Sequence, residues 1–468
     1  LTQDVGAVAG HFYMFRQTDW QAVGGFDTET FGFWFTTLDF CLRLGQQGKR
    51  HVWTPVTSVM HQGGRTVSAM LGDNRMRLKY ADCELAEKNA LLNKWAKQLA
   101  CDPNYNRHLS LTTPFDIESC IVVDWQPRRK DRPRVIACPL SSGAGQYRVV
   151  EPLNALQDAG VAQTCTVLPI KRGHARTLQP LELLRAAPDR LILQHSVDDS
   201  QLGMIEKYRL VMPDLPIIQM VDDLLGEVPV KHPNWNFQKR EGHQRMVQAL
   251  RKSDRLIVTT ETLKLHYQKY VPDVRLIPNC LDKQWDGLRD EHTPPTRLRV
   301  GWIGAGQHKG DLDLVAEVVK ATADEFDWVF MGMCTDAIKP FIKEFHGFVP
   351  IGDYPKKMAS LKLDIAIAPL ESNHFNECKS NLRLLEYGAM GWPVVCSDVF
   401  PYRTMDAPVI RCSDNIEEWV STLRELATDP SRRLELGAAL HNWVQKNFLL
   451  RNKVPEWCTV LILLHYLI

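Results

Sequence analysis

Lys379, Ser380 and Glu386 are the residues whose types and spacing bear most directly on chemistry. They fall within DIAIAPLESNHFNECKSNLRLLEYGAMGWPVVCSD, residues 364–398. A lysine and a serine ahead of a helical pattern suit an anion. The start of such a helix offers free backbone N–H groups and the positive end of its dipole to a phosphate. Glu386 follows Ser380 at a distance of roughly 9 Å along a helix axis, at about 1.5 Å per residue. That is the span from a diphosphate to the ribose of the same nucleotide, and a carboxylate there can accept hydrogen bonds from both ribose hydroxyls.

The elements that must hold these residues are legible around them. DIAIAPL is a short apolar run and reads as a buried parallel strand. Ser380 is expected at the N-cap of a helix carrying Leu382, Leu384, Leu385 and Ala389, with Asn381 beside it. Gly391 and Pro393 stop that helix, and VVCS opens the next strand. Upstream, RVIACPL is a strand followed by the loop SSGAGQYRVVEPLNALQDAG. There Gly143 and Gly145 let backbone approach a ligand, and the next helix points its N-terminus at the loop. Arg148 has two readings, a phosphate or acceptor contact and a surface arginine on a first helical turn.

Strands and helices continue to alternate. RLILQHS ends in Gln194 and His195, LPIIQMVDDLL ends in Asp222 and Asp223, a helix spans 242–252, and DRLIVTT is a further strand. Those polar residues lie beyond the carboxyl ends of strands, where open α/β sheets bind ligands. His195 reads either as a sugar or acceptor contact or as a solvated turn residue. Asp222 and Asp223 lack further carboxylates or histidines at suitable spacing, so no metal site is expected. RLRVGWIGAGQHKGDLDLV then gives a strand, Gly301, Gly304 and Gly306, the run His308-Lys309-Gly310, and a helix. WVFMGM is another strand, a helix follows around 355–362, and residues 415–447 read as two amphipathic helices.

Over residues 134–450 these motifs resemble a retaining glycosyltransferase of the GT-B kind, family 4-like. VRLIPNCLD is similar to that family's P-N-x-x-D crossing between domains, with Asn279 and Asp282 matching. The resemblance implies an α/β fold with two Rossmann-like domains facing across a cleft. It further implies sugar transfer from a nucleotide-diphospho-sugar to a hydroxyl acceptor, a hexosyltransferase-like activity. In the family a strand, a glycine loop and a lysine embrace the diphosphate, which points to Gly304, Gly306, His308 and Lys309. Lys379, Ser380 and Asn381 would complete the phosphate site, and Glu386 would anchor the ribose. The family pattern has two glutamates separated by seven residues; here the first position is Cys378, with Glu377 one residue away. Glu377, or its neighbour Asn376, would touch the donor sugar, and His195 belongs to the same candidate catalytic group as Lys309, Lys379 and Glu377. A non-catalytic sugar-nucleotide scaffold and a GT-B-fold epimerase are the alternatives.

Residues 1–120 resemble the C-terminal half of a family 2 glycosyltransferase of the single-domain GT-A fold. The matching pieces are Gly24-Gly25-Phe26-Asp27, Asp39 with Arg43, Gly48, Pro55 and His61. Where that family has an acidic pair just before Asp39, this chain has Thr36-Thr37, and a hydroxyl with an ordinary pKa is a poor base. The expectation is a truncated, inactive remnant, with His61 a structural or orphaned residue rather than a working metal ligand. The chain begins at Leu1 inside what reads as a domain, so a fragment is expected.

The expected organisation is therefore a partial GT-A region over 1–120, a linker over 121–133, an acceptor domain over 134–290, a donor domain over 291–450 and a tail over 451–468. At 468 residues, 44% hydrophobic and 24% charged, the chain has an ordinary globular composition. A net charge of +1 gives no pull toward nucleic acid. Twelve scattered cysteines without a CxxC pair argue for reduced thiols in a cytoplasm. The partners expected are a nucleotide sugar as co-substrate and a glycan or lipid-linked glycan acceptor, with no cofactor required by the GT-B part. The location expected is the cytoplasm or the inner face of its membrane, in surface polysaccharide assembly.

Overall fold

The computed structural model describes residues 1–61, 74–168, 176–231, 235–237, 241–289 and 296–462. Two compact units emerge. One comprises Leu1–Val123 with Thr177–Pro188 and Met204–Leu215, the other Asp124–Arg176, Asp189–Gly203 and Pro216–Ile468.

In the first unit, β1 (Gln3–Val5) pairs antiparallel with β2 (His51–Trp53). Its small core packs Phe31, from the loop before helix α1 (Thr36–Gln46), against Leu91 and Trp95 of helix α2 (Asn74–Ala100), with Leu38 and Leu42 of α1 half-buried beside them. Only the second half of α2 buries its apolar stripe; Met76, Leu78 and Leu85 are exposed. Asp39 is fully buried and receives Arg43 Nε at 2.7 Å, Lys94 Nζ at 2.7 Å and Trp95 Nε1 at 2.8 Å. It is a structural anchor. The Thr36 hydroxyl donates to the Phe31 carbonyl at 2.6 Å. His61 is exposed, its ring 4.0 Å from that of His11, and the Gly63-Gly64 step after it lies outside the described residues.

The second unit holds two six-stranded parallel sheets. β3 (Arg134–Cys138), β4 (Gln163–Thr166), β5 (Arg190–Gln194), β6 (Ile217–Val221), β7 (Arg255–Val258) and β8 (Val274–Leu276) form one, in the order β4-β3-β5-β6-β7-β8. β9 (Arg299–Ile303), β10 (Asp327–Met331), β11 (Glu344–His346), β12 (Ile365–Ala368), β13 (Val394–Ser397) and β14 (Ile410–Cys412) form the other, in the order β11-β10-β9-β12-β13-β14. Near-continuous apolar strands such as IIQMV and IAIA are buried along their length, as strands covered by helices on both faces must be. The second order is that of a doubly wound nucleotide-binding sheet, which reverses direction between β9 and β12; the first reverses between β3 and β5. These are the two Rossmann-like halves that the resemblance implies.

Helix α3 (Glu151–Asp158) follows the glycine loop after β3, and α4 (Leu382–Met390) follows β12. Gly391 ends α4 at φ +74°, a left-handed cap that glycine adopts without strain. Helices α5 (Pro430–Asn447) and α6 (Leu450–Ile462) finish the described chain. Helix α6 returns to the first sheet, where Trp457 and Leu461 are buried with Val135, Ile192 and Ile257. Residues 463–468 lie outside the described residues. The segment read as a linker is pinned to β4: Gln163 accepts from Gln126 N at 2.5 Å and donates to Arg129 O at 3.2 Å. All twelve cysteines are free. Among the described residues no helix is long and apolar enough to cross a membrane.

Candidate functional site

The loops leaving the carboxyl ends of β3, β6, β9, β10 and β12 line one cleft of about 710 Å³, a volume typical of small-molecule sites. From the first half come Ser142, Gly143, Tyr147, Arg148, Asp222 and Asp223. From the second come Gly304, His308, Lys379, Ser380, Arg383 and Glu386.

The first loop turns so tightly that only glycine fits at Gly145, where a Cβ would lie 1.8 Å from the Leu140 carbonyl oxygen. Gly143 faces the cleft and Gly145 packs behind it. The π-helical turn Gln146–Val150 follows and directs Tyr147 and Arg148 inward. Arg148 is buried, not the surface arginine of the alternative reading. Its Nη1 donates to Ile277 O at 2.9 Å and Asn279 Oδ1 at 3.2 Å, while its Nε and Nη2 find no hydrogen bond among the described residues. Burial lowers its pKa to about 10. Asn279 passes the contact on by donating to Ser380 Oγ at 2.7 Å. Asp282 has a local task, accepting from Gln284 N at 3.0 Å.

His195 does not line the cleft. It stands behind Asp222, with Nε2 2.6 Å from Asp222 Oδ1, at φ +48°, an uncommon backbone conformation for a residue with a Cβ. Burial works against its charge, but the Asp222 carboxylate outweighs burial and raises the histidine pKa. Among the described residues no group of three or more histidine, cysteine or carboxylate side chains is placed to hold a metal ion.

The start of α4 departs by one step from the sequence reading. Asn381, not Ser380, is the N-cap; it is buried and does not line the cleft. Ser380 lies just ahead of it, and its Oγ accepts from Leu382 N at 3.4 Å. Lys379 does face the cleft, with Nζ 3.8 Å from Asp223 Oδ1 and 4.8 Å from the centroid of the Phe375 ring. Glu386 also faces it, buried, one helical turn inside α4. Tyr147 donates to its Oε1 at 2.7 Å and Tyr354 to its Oε2 at 3.2 Å. Burial raises the Glu386 pKa, and the two phenols oppose that rise.

Three expected contacts, Lys309, Gly306 and Glu377, fall outside the cleft lining. Lys309 is exposed and does not line the cleft; His308 does. Successive residues on a helical turn point about 100° apart, so the turn that aims His308 inward carries Lys309 away. His308 Nδ1 lies 2.6 Å from Asp311 Oδ2, and burial lowers its pKa to about 4. The neutral ring therefore donates to Asp311 and accepts from Arg383 Nη2 at 3.3 Å. Gly304 lines the cleft, whereas Gly306 is exposed and outside it.

Glu377 is likewise exposed and outside the cleft lining. Its neighbours explain why: Phe375 and Cys378 are buried in the core of the first half, with Leu224, Leu225, Met246 and Tyr267. That packing rotates Glu377 outward. Asn376 is committed to the Glu371 carbonyl at 2.8 Å and to Asp311 at 3.3 Å.

Arg383 lines the cleft where Lys309 does not. Its guanidinium lies 5.1 Å from the Trp302 ring centroid, and its buried Nη1 has no hydrogen-bond partner among the described residues. It stands in the first turn of α4, four residues after Lys379, and both side chains line the cleft. Tyr147 and Tyr354 had no comparable signal.

The fold and cleft together define a class, two Rossmann-like domains of the GT-B type. Sucrose-phosphate synthase from Thermosynechococcus elongatus is similar in fold, with 12% identity over 69% of this chain and 97% of that one, at a TM-score of 0.51. A glycosyltransferase from Rickettsia africae gives 13% identity over 71% of this chain and 99% of that one, at a TM-score of 0.48. No family model and no curated protein sequence matches this chain.

Proposed function

We propose that this chain transfers a sugar from a nucleotide-diphospho-sugar to a hydroxyl acceptor, as a family 4-like enzyme acting with retention. The observation that carries the reading is the cation pair Lys379 and Arg383 in one cleft with Glu386 a turn deeper. The orphaned Nη1 of Arg383 is a donor in want of an anion. A leaving diphosphate gains negative charge as its sugar departs, so fixed cations there stabilise the transition state more than the ground state. Glu386 accepts the ribose hydroxyls, and Phe348 with Ile351 at the cleft rim gives the base an apolar wall. Arg148, Asp222 and Asp223 lie on the acceptor side. We assign the acceptor as a glycan or lipid-linked glycan of a surface polysaccharide, and residues 1–120 as a catalytically silent GT-A remnant ahead of acceptor and donor domains.

The experiment is a melting screen with UDP-, GDP-, ADP- and dTDP-sugars, followed by release of free nucleoside diphosphate in the presence of acceptors. Lys379→Ala should lose activity by about 100-fold or more, in line with loss of one electrostatic donor, while its melting point is kept. Activity within a few fold of wild type refutes the assignment. The burial of Cys378 and outward turn of Glu377 favour a second reading, a nucleotide-sugar-binding scaffold without catalysis. Ligand-dependent melting without any diphosphate release selects it.

A further inference from the structure

Glu386 belongs to the second Rossmann half, yet its shortest hydrogen bond comes from the first. Tyr147 Oη lies 2.7 Å from Glu386 Oε1 although the two residues are 239 positions apart. Tyr354 Oη holds the other oxygen at 3.2 Å. A carboxylate offers about four lone-pair directions, so the two phenols leave about two free. Both tyrosines line the cleft beside Glu386, so the free directions have a cavity to face. The Tyr147 ring is itself fixed, buried 6.5 Å from the ring of Trp285, on the π-helical turn Gln146–Val150. Turns of this type recur at functional sites.

We infer that Tyr147 is a positioning residue whose hydroxyl, reaching from the first half, orients the Glu386 carboxylate of the second toward the two ribose hydroxyls of a bound nucleotide. The inference rests on the nucleotide site proposed above. Its physical basis is that a buried carboxylate with one oxygen unbonded rotates or takes up a proton. Either change removes an acceptor that the ribose needs. Grip on the ribose thus depends on a residue of the opposite half.

The test is a cycle between the tyrosine and the ribose hydroxyls. Titration calorimetry with UDP, GDP and ADP identifies the tightest nucleotide for the wild type. That nucleotide and its 2′,3′-dideoxy analogue are then measured on wild type and Tyr147→Phe. In the wild type, loss of the hydroxyls should weaken binding by about tenfold or more, the scale of a bond to a charged group. In Tyr147→Phe the same loss should cost about threefold or less, because the intact nucleotide has already lost its oriented acceptor. An equal penalty in both proteins overturns the inference and leaves the nucleotide site standing. Equal binding of the two nucleotides to the wild type also overturns it, since Glu386 then holds no ribose. Failure of the wild type to bind any of the three removes the site reading and this inference together. If Tyr147→Phe does not fold, Tyr147→Met keeps an apolar side chain without the hydroxyl and serves in the same cycle.

Discussion

Glu151→Gln should stabilise this protein, and the gain should grow with pH. Glu151 opens α3 with 4% of its surface exposed, and its Oε2 has no hydrogen-bond partner among the described residues. Burial above all, and then the Asp282 carboxylate, raise its pKa from 4.5 to about 8. A carboxyl raised in this way keeps its proton in the fold while the unfolded chain gives it up. Its contribution is therefore full below about pH 4.5 and is lost as pH climbs toward about 8. At pH 7 the gap from the ordinary value amounts to about 3 kcal/mol, at about 1.4 kcal/mol per unit. Glutamine keeps the shape and cannot ionise, but its amide donors need partners, and one unmet bond costs about 1 kcal/mol. The net expectation is a gain of about 2 kcal/mol at pH 7 that falls to zero near about pH 5 and becomes a loss of about 1 kcal/mol at lower pH. Urea unfolding of both proteins, followed by tryptophan fluorescence between about pH 5 and about pH 8, reads this directly. Parallel pH dependence in the two proteins means that Glu151 is ionised in the native state and refutes the burial argument.

Two further substitutions probe the anchors on either side of the site. Phe375→Ala empties a buried position through which the loop after β12 enters the core of the first half; it should cost about 3–5 kcal/mol by urea unfolding, and a loss below about 1 kcal/mol argues against that anchor. Asp39→Asn leaves Arg43 and Lys94 without their buried anion and should destabilise the first unit by about 3 kcal/mol, seen as faster amide exchange in α1 and α2; unchanged exchange there counts against it.

The strands of both sheets were legible because a buried parallel strand has a local signature. RVIAC, IIQMV and IAIA are apolar runs with turn residues at their ends, and each forms where it was expected. The stop of α4 at Gly391 was legible for the same reason, since a left-handed cap selects its own residue type. The spacing around a helix start singled out Lys379 and Glu386, and both line the cleft. Lys309 lies outside the cleft lining because one residue on a helical turn decides which way a side chain points, and the bond from His308 to Asp311 settles it for His308. Glu377 lies outside the cleft lining because Phe375 and Cys378 are claimed by a core built from residues more than a hundred positions earlier, which no local pattern reveals. Tyr147 was hidden by the same distance. Its partner lies on a helix of the other half, and a tyrosine beside a glycine loop reads as ordinary packing until the two halves are seen together.

Helix α6 has a bearing on how the molecule comes into being. Trp457 and Leu461 complete the hydrophobic interior beneath β3, β5 and β7, and the Trp457 ring supports the Arg148 guanidinium at 5.3 Å. On the ribosome, β3 therefore emerges long before the side chains that seal it, on the order of tens of seconds earlier at usual elongation speeds. Until then that face of the first sheet lacks the side chains that cover it.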